Sequence, residues 1–115
     1  MAIHYQESLD RIFHALGDGT RRTMLAMIAK RGECTASELG KPFRVAQPTI
    51  SKHIRVLEQA SLVSRRVAGR IHHFRLNTKP LTEATDWIAR HRTFWENSLD
   101  ALGNALDDLP DRCSN

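Results

Sequence analysis

Apolar residues recur every three or four positions along most of the chain, which predicts a mainly helical protein. The first apolar stripe covers about residues 6–16 and ends at Gly17. A second segment, at about residues 20–30, is followed by Gly32, which is typical of a helix end. The last stripe is much longer and occupies about residues 80–109. Each of the three segments is predicted to be a helix; the second is expected to be mostly buried, and the other two to bury one side.

The middle of the chain has the spacing of a helix-turn-helix. Thr35 and Glu38 fit a capping box, in which each side chain bonds the backbone amide of the other residue. This capping box opens a short helix that is predicted to run to about Phe43. After a turn of about four residues, another helix is predicted over about residues 47–60, with Pro48 tolerated in its first turn.

The helix predicted at 47–60 has two different sides. Ile50, Ile54 and Leu57 form an apolar stripe at positions i, i+4 and i+7. The other side is polar and basic, and it consists of Gln47, Thr49, Ser51, Lys52, His53 and Arg55. The major groove of duplex DNA is about 12 Å wide and admits one α-helix. A helix with an apolar back and a polar front is therefore suited to contacting base edges.

Two β-rich runs, residues 62–68 and 71–77, are separated by a Gly-Arg pair and predict a two-stranded β-hairpin. A helix-turn-helix followed by such a hairpin is the winged helix-turn-helix arrangement. Arg65, Arg66 and Arg70 lie in or beside the hairpin end, where they could reach phosphates or an adjacent minor groove. The alternative is an ordinary solvated helix with an edge hairpin.

Length and composition indicate one globular domain. The chain has 115 residues, of which 41% are hydrophobic and 26% are charged. No apolar run approaches the roughly 18 residues that cross a membrane, and the N-terminus lacks the features of a signal peptide. Cys34 and Cys113 are too few for a disulfide scaffold, so we expect a cytoplasmic protein.

The charge of the chain is unevenly distributed. The net charge is +4, yet eight of the 17 Lys and Arg residues and only one of the 13 acidic residues lie between residues 41 and 75. That segment therefore carries +7, which leaves −3 for the remainder. A basic block inside a folded domain favours a polyanion as the partner. A solvated basic surface is the alternative that charge alone leaves open.

The sequence resembles the ArsR/SmtB family of bacterial winged-helix repressors from about Leu9 to Leu106. The resemblance is carried by residues 13–22, 36–39, 47–57, 62–63 and 69–76. The run Gln47–Leu57, QPTISKHIRVL, is the most specific of these motifs. Ala46 stands where the family has serine and Gly19 where it has proline, so two helix starts are expected to be loosened.

The resemblance implies a homodimer that represses promoters by binding an imperfect inverted repeat in double-stranded DNA. It places a DNA-binding core at about residues 18–78. The implied DNA contacts are Gln47, Thr49, Ser51, Lys52, His53, Arg55, Arg66 and Arg70. Among these, the amide of Gln47 can pair with adenine, which makes it the best candidate for a base contact. Lys52 and Arg55 are better suited to phosphates.

The length of the last helix agrees with a dimer. About 29 residues at ~1.5 Å each give roughly 43 Å, which exceeds the width of a domain of this size. In the family, the first and last helices, here about 5–16 and 80–109, pair across the two-fold axis. The predicted dimer contacts are Leu9, Phe13, Ile88, Trp95, Leu99 and Leu102. The alternative is a stripe that the first helix of the same chain covers.

The metal sites known in the family are not found in this sequence. Thr35 and Ser37 occupy the positions of a Cys-x-Cys pair that would supply thiolates to a soft metal. In the last helix, Asp86 lacks the histidine of a second type of site, and His91 lacks a ligand three positions further on. The resemblance is therefore to a subgroup without these sites, and we predict no metal and no cofactor.

Two other interpretations stay open. One is a metal-responsive repressor of the same family that uses a non-standard site. The other is a protein-interaction dimer that has lost DNA binding, for which DNA affinity would not depend on salt. An enzyme is not expected, because the sequence has no Gly-rich phosphate loop, no paired carboxylates and no recognisable nucleophile arrangement.

Overall fold

The computed structural model describes residues 2–108, with side chains from residue 6 onward. Its elements follow in chain order: α1 (Ala2–Leu16), α2 (Gly19–Arg31), β1 (Cys34–Thr35), α3 (Ala36–Gly40), α4 (Gln47–Gln59), β2 (Val63–Ala68), β3 (Ile71–Leu76) and α5 (Lys79–Asp107). They group into two compact units, one ending at Ala84 and the other beginning at Thr85. Leu109, Pro110 and Cys113 lie outside the described residues.

The mainly helical fold with a wing is confirmed, and one helix is shorter than expected. α3 ends at Gly40 rather than near Phe43, which lengthens the turn before α4 to the six residues 41–46. Pro42 explains the early end, because proline has no N–H group and its ring clashes with the carbonyl four residues before it. α1 begins at Ala2, earlier than the apolar stripe indicated.

The starts of the helices differ in how well they are capped. Asp18 caps α2, since its Oδ2 accepts a bond from the Arg21 N–H at 3.2 Å. The capping box of α3 is confirmed, with Thr35 N–H to Glu38 Oε1 at 2.9 Å and Glu38 N–H to Thr35 Oγ1 at 3.1 Å. Ala46 gives α4 no side-chain cap. The side-chain cap that the sequence predicted to be missing at the start of α4 is absent.

The sheet has three strands, so the prediction of a two-stranded hairpin was incomplete. All neighbours are antiparallel, and β3 lies between β1 and β2. β1 pairs Cys34 with Phe74 and Thr35 with His73. Two residues are too few to show the alternation of apolar and polar positions that predicts a strand. Pairing with β3 holds these residues extended. Gly69 opens the β2–β3 turn with φ 64°, as a type II′ turn requires.

The core of the first unit lies between the helices and one face of the sheet. The largest fully buried side chains come from α1, α2, α3, α4, the segment before β2, and β3, and they include Ile12, Met24, Ile28, Leu39, Ile50, Leu57, Leu62 and Phe74. Three of the apolar residues of α4 (Ile50, Ile54 and Leu57) are buried. Because this stripe faces the core, the polar side of α4 faces solvent.

The second unit consists of α5 from Thr85 onward. Six of its large apolar side chains are exposed in the single chain, namely Ile88, Phe94, Trp95, Leu99, Leu102 and Leu106, whereas Trp87 is half-buried. Within the described residues, no helix is both long and apolar enough to span a bilayer.

Candidate nucleic-acid interface

Five of the six candidate side chains on α4 are exposed together. They are Gln47, Thr49, Ser51, Lys52 and Arg55. None of them has a side-chain hydrogen bond or ion pair to another described residue. Their exposure follows from the buried stripe behind them, which determines the side of the helix that faces solvent. This set, called the α4 face below, combines three neutral polar groups with two cations.

The sixth candidate, His53, is oriented differently. Its side chain is only 19% exposed. Its Nδ1 lies 3.1 Å from Nη1 of Arg21 and 3.9 Å from Oδ2 of Asp18. His53 therefore contacts the start of α2, and sequence reasoning missed this contact because Arg21 lies 32 positions earlier in the chain.

The register of the sheet separates the wing arginines. Arg65 is opposite Phe74 and Arg66 is opposite His73. Residues that pair directly share a face and successive residues alternate, so Arg65 lies on the face of the buried Phe74 and Arg66 lies on the other. Arg66, a predicted DNA contact, is therefore on the opposite face of the wing from its neighbour Arg65.

Arg65 connects the wing to α4. Its Nε and Nη2 donate to the two carboxylate oxygens of Glu58 at 3.1 and 2.6 Å. The guanidinium also lies over the Phe74 ring, 5.2 Å from its centroid, and its Nη1 is 3.2 Å from Nδ1 of His72. A paired arginine of this kind fixes geometry, because a bidentate contact restrains both groups. Strand alternation with Phe74 was the sequence signal that could have found it.

A cleft of about 310 Å³ lies between α4 and the wing. Ser51 and Arg55 line it from α4, and Arg65 and His72 line it from the hairpin. The cleft lies between the α4 face and the wing. A nucleic-acid phosphate backbone that follows α4 would therefore meet donor groups from both elements.

Arg66 and Arg70 have different surroundings. Both Nε and Nη2 of Arg66 donate to Oε1 of Glu33, at 3.2 and 2.7 Å. The hydrogen bond from Arg66 lowers the pKa of Glu33. Arg70 occupies the exposed turn after Gly69, and no other described residue pairs with its side chain. Of these two predicted contacts, only Arg70 is free to meet a phosphate without breaking an ion pair.

The residues around the position of the family's thiolate pair have structural roles. Thr35 and Glu38 form the capping box, and Cys34 is buried in β1. Burial raises the pKa of the Cys34 thiol, which disfavours the thiolate that a metal needs. Among the described residues, no cluster of three or more His, Cys, Asp or Glu side chains could hold a metal ion.

The predicted dimer contacts divide between the two units. Leu9 is 5% exposed, so its side chain has little area left for a partner, and Phe13 is half-buried. The other four, Ile88, Trp95, Leu99 and Leu102, are exposed on α5. The Trp95 ring also meets Trp87 edge to face, with centroids 5.6 Å apart, which holds it in place.

Known proteins are similar to this chain in sequence and in fold. A family model described as a helix-turn-helix domain matches residues 16–66. The transcriptional repressor SdpR of Bacillus subtilis is 31% identical over 91 residues, which is 79% of this chain and all of that protein.

Two solved structures extend the comparison. A crystal structure of an ArsR family transcriptional regulator, RHA00566, is 38% identical, with a TM-score of 0.74 over 79% of this chain and 93% of that one. The homodimeric winged helix-turn-helix DNA-binding domain Mb0332 of Mycobacterium bovis, at 19% identity, shares the fold with a TM-score of 0.60 over 87% of this chain and 89% of that one. With the helix-turn-helix and wing in place, the chain belongs to the ArsR family of winged-helix transcriptional regulators, as its motifs indicated.

Proposed function

We propose that the protein is a homodimeric transcriptional repressor that binds an inverted repeat in duplex DNA. α4 enters the major groove, and the β2–β3 hairpin is the wing. The observation that carries the proposal is the α4 face, whose five side chains are exposed and unpaired within the described chain, above a buried apolar stripe. The similarity to the repressor SdpR, which covers all of SdpR and 79% of this chain, supports the same role.

Each side chain of the α4 face has a role that suits its chemistry. Gln47 is at the first position of α4, where a recognition helix contacts base edges, and its amide offers the paired donor and acceptor that adenine matches. Thr49 and Ser51 can contact bases or phosphates. Lys52 and Arg55 contact phosphates, which fix the orientation of the helix without reading sequence.

The dimer is proposed to form through α1 and α5. The exposed apolar side chains of α5 would be costly in water along one helix face, and a second copy can cover them. The structural neighbour Mb0332 is described as a homodimer. A two-fold axis would place two copies of α4 about 34 Å apart, which is one turn of DNA.

The role proposed for the chain is binding without catalysis. Regulators of this family act by occupying DNA, and the side chains of the α4 face are suited to that task. The protein would act where bacterial DNA is transcribed, in the cytoplasm.

Two substitutions on the α4 face test base reading. Gln47→Ala is expected to weaken a selected operator by about 1–3 kcal/mol and to leave random DNA almost unchanged. Lys52→Ala is expected to weaken both DNAs and to reduce the salt slope by about one. Gln59→Ala is the matched control, since Gln59 is an exposed glutamine at the far end of α4. Equal losses on both DNAs for Gln47→Ala and Lys52→Ala would show that the base-reading assignment is wrong.

A further inference from the structure

Arg21 is the charged side chain most deeply buried among the described residues. It is 9% exposed and sits in the first turn of α2. Burying a guanidinium is costly unless its donors are satisfied, so its partners show what it holds together.

The guanidinium of Arg21 bridges two helices. Nε donates to the carbonyl oxygen of Ala15 and Nη2 to that of His14, both at 2.9 Å. These carbonyls belong to the last turn of α1, where helix carbonyls lack partners within the helix and the helix dipole favours a cation. The third donor, Nη1, lies 3.1 Å from Nδ1 of His53 in the middle of α4.

The contact fixes the tautomer of His53. Arginine has donors only, so Nδ1 of His53 accepts this hydrogen bond and the ring proton is on Nε2. The carboxylate of Asp18 lies 3.9 Å from the same Nδ1, and it also accepts a hydrogen bond from the backbone N–H of Arg21. Asp18 and Arg21 are thus the charged groups that the structure places against the His53 ring.

The start of α4, which precedes His53, has no side-chain cap. Its N-cap, Ala46, makes no side-chain hydrogen bond, and a six-residue turn precedes it. Apolar packing can hold a helix against a core while permitting small rotations and shifts. A directional hydrogen bond weakens steeply with distance and angle, so it restrains those motions better.

We propose that His53 is a positioning residue that locks α4 to the C-terminal end of α1 through Arg21, rather than a DNA contact. This inference rests on the proposed DNA-binding function. Bidentate pairing of Gln47 with a base needs a close and well-aligned approach, whereas phosphate contacts tolerate small shifts. Losing the lock should therefore reduce the preference for operator over random DNA more than it reduces affinity for random DNA.

Two substitutions of His53 distinguish a positioning role from a DNA contact. Asn places its side-chain oxygen near the position of Nδ1 and can accept from Arg21, whereas Gln places its amide near the position of Nε2. We expect His53→Asn to keep operator preference within about threefold of wild type, and His53→Gln to lose about tenfold or more, the scale of one hydrogen bond to a charged group. If Gln preserves the preference and Asn loses it, or if both preserve it, the positioning role is overturned.

A double-mutant cycle of Arg21→Lys and His53→Gln, measured by unfolding without DNA, tests the lock independently. Lys has one ammonium and cannot reach all three partners of Arg21, so each single change should lower stability. The double change should cost less than the sum, and additive effects would overturn the lock. Failure of the wild type to prefer operator over random DNA would instead refute the proposed function, and the cycle would still decide whether the lock exists.

Discussion

The guanidinium of Arg66 and the carboxylate of Glu33 form an ion pair across the wing sheet, in which two nitrogens of Arg66 share one oxygen of Glu33. Glu33 follows Gly32, whose φ of 84° turns the chain out of α2 toward the sheet. Nδ1 of His73 lies 3.5 Å from the same oxygen. A phosphate that approaches Arg66 must therefore compete with an internal carboxylate.

Replacing Glu33 should strengthen binding to random DNA. Glu33→Gln removes the competing charge and frees Arg66 for a phosphate, so the slope of log K against log salt should steepen by about 0.9 for each new contact. The measurement is a titration of random-sequence duplex at several salt concentrations. Glu96→Gln changes the net charge equally within the α5 helix and is the control. Equal effects of the two substitutions would mean that only net charge matters.

Ser61 occupies a position suited to glycine. Its φ is 60°, and the bonds Leu62 N–H to Leu57 O (3.0 Å) and Ser61 N–H to Glu58 O (2.9 Å) make a Schellman ending for α4. Ser61→Gly should stabilise the protein by about 0.5–1 kcal/mol, because a left-handed residue with a Cβ is strained by more than glycine loses in entropy. Chemical denaturation measures the change. Ser61→Ala, which keeps the Cβ, should not stabilise; a glycine variant no more stable than wild type would contradict the strain.

A charge in the apolar stripe of α5 should abolish the dimer. Trp95 is 44% exposed in the single chain, and Trp95→Asp would place a carboxylate where the second copy packs in the proposed dimer. Sedimentation should find monomers with little affinity for operator DNA. Asn97→Asp adds the same group to the other side of α5 and should leave the dimer intact. A dimeric Trp95→Asp variant would refute this interface.

The capping box should make the stability of the protein depend on pH. Bonding to the Thr35 N–H holds the pKa of Glu38 below its ordinary value of 4.5. Because the folded pKa is lowered, the stabilisation is complete above that ordinary value and is lost as the pH falls through the folded pKa. Glu38→Gln can keep the bond without titrating. The free energy of unfolding should decrease more for wild type than for this variant when the pH is lowered from about 7 to about 3. Equal decreases would contradict the link between Glu38 protonation and stability.

Local features of the fold were predictable from the sequence. Thr35 and Glu38 are three residues apart, so the capping box depends on one turn of chain. The stripe of Ile50, Ile54 and Leu57 likewise fixed which side of α4 is polar, because helical periodicity determines what shares a face. The hairpin turn was found from a glycine, as a left-handed backbone favours it.

Non-local features were missed for a common reason. β1 is extended only because Cys34 and Thr35 pair with β3, about forty residues later. Two side-chain contacts also join residues more than thirty positions apart, namely His53 with Arg21 and Arg66 with Glu33. No periodicity within a short window reports such contacts, although strand alternation would have separated Arg65 from Arg66 once the register was known.

Selection of bound duplexes from a random-sequence DNA library, followed by sequencing, tests whether the protein reads an inverted repeat with two copies of α4. A homodimer that reads DNA with two copies of α4 should enrich an imperfect inverted repeat whose half-site centres lie about 10 base pairs apart. The Gln47→Ala variant should lose the preference at one base pair in each half-site. Enrichment of no sequence, or of a single half-site alone, would contradict recognition of an inverted repeat by a homodimer.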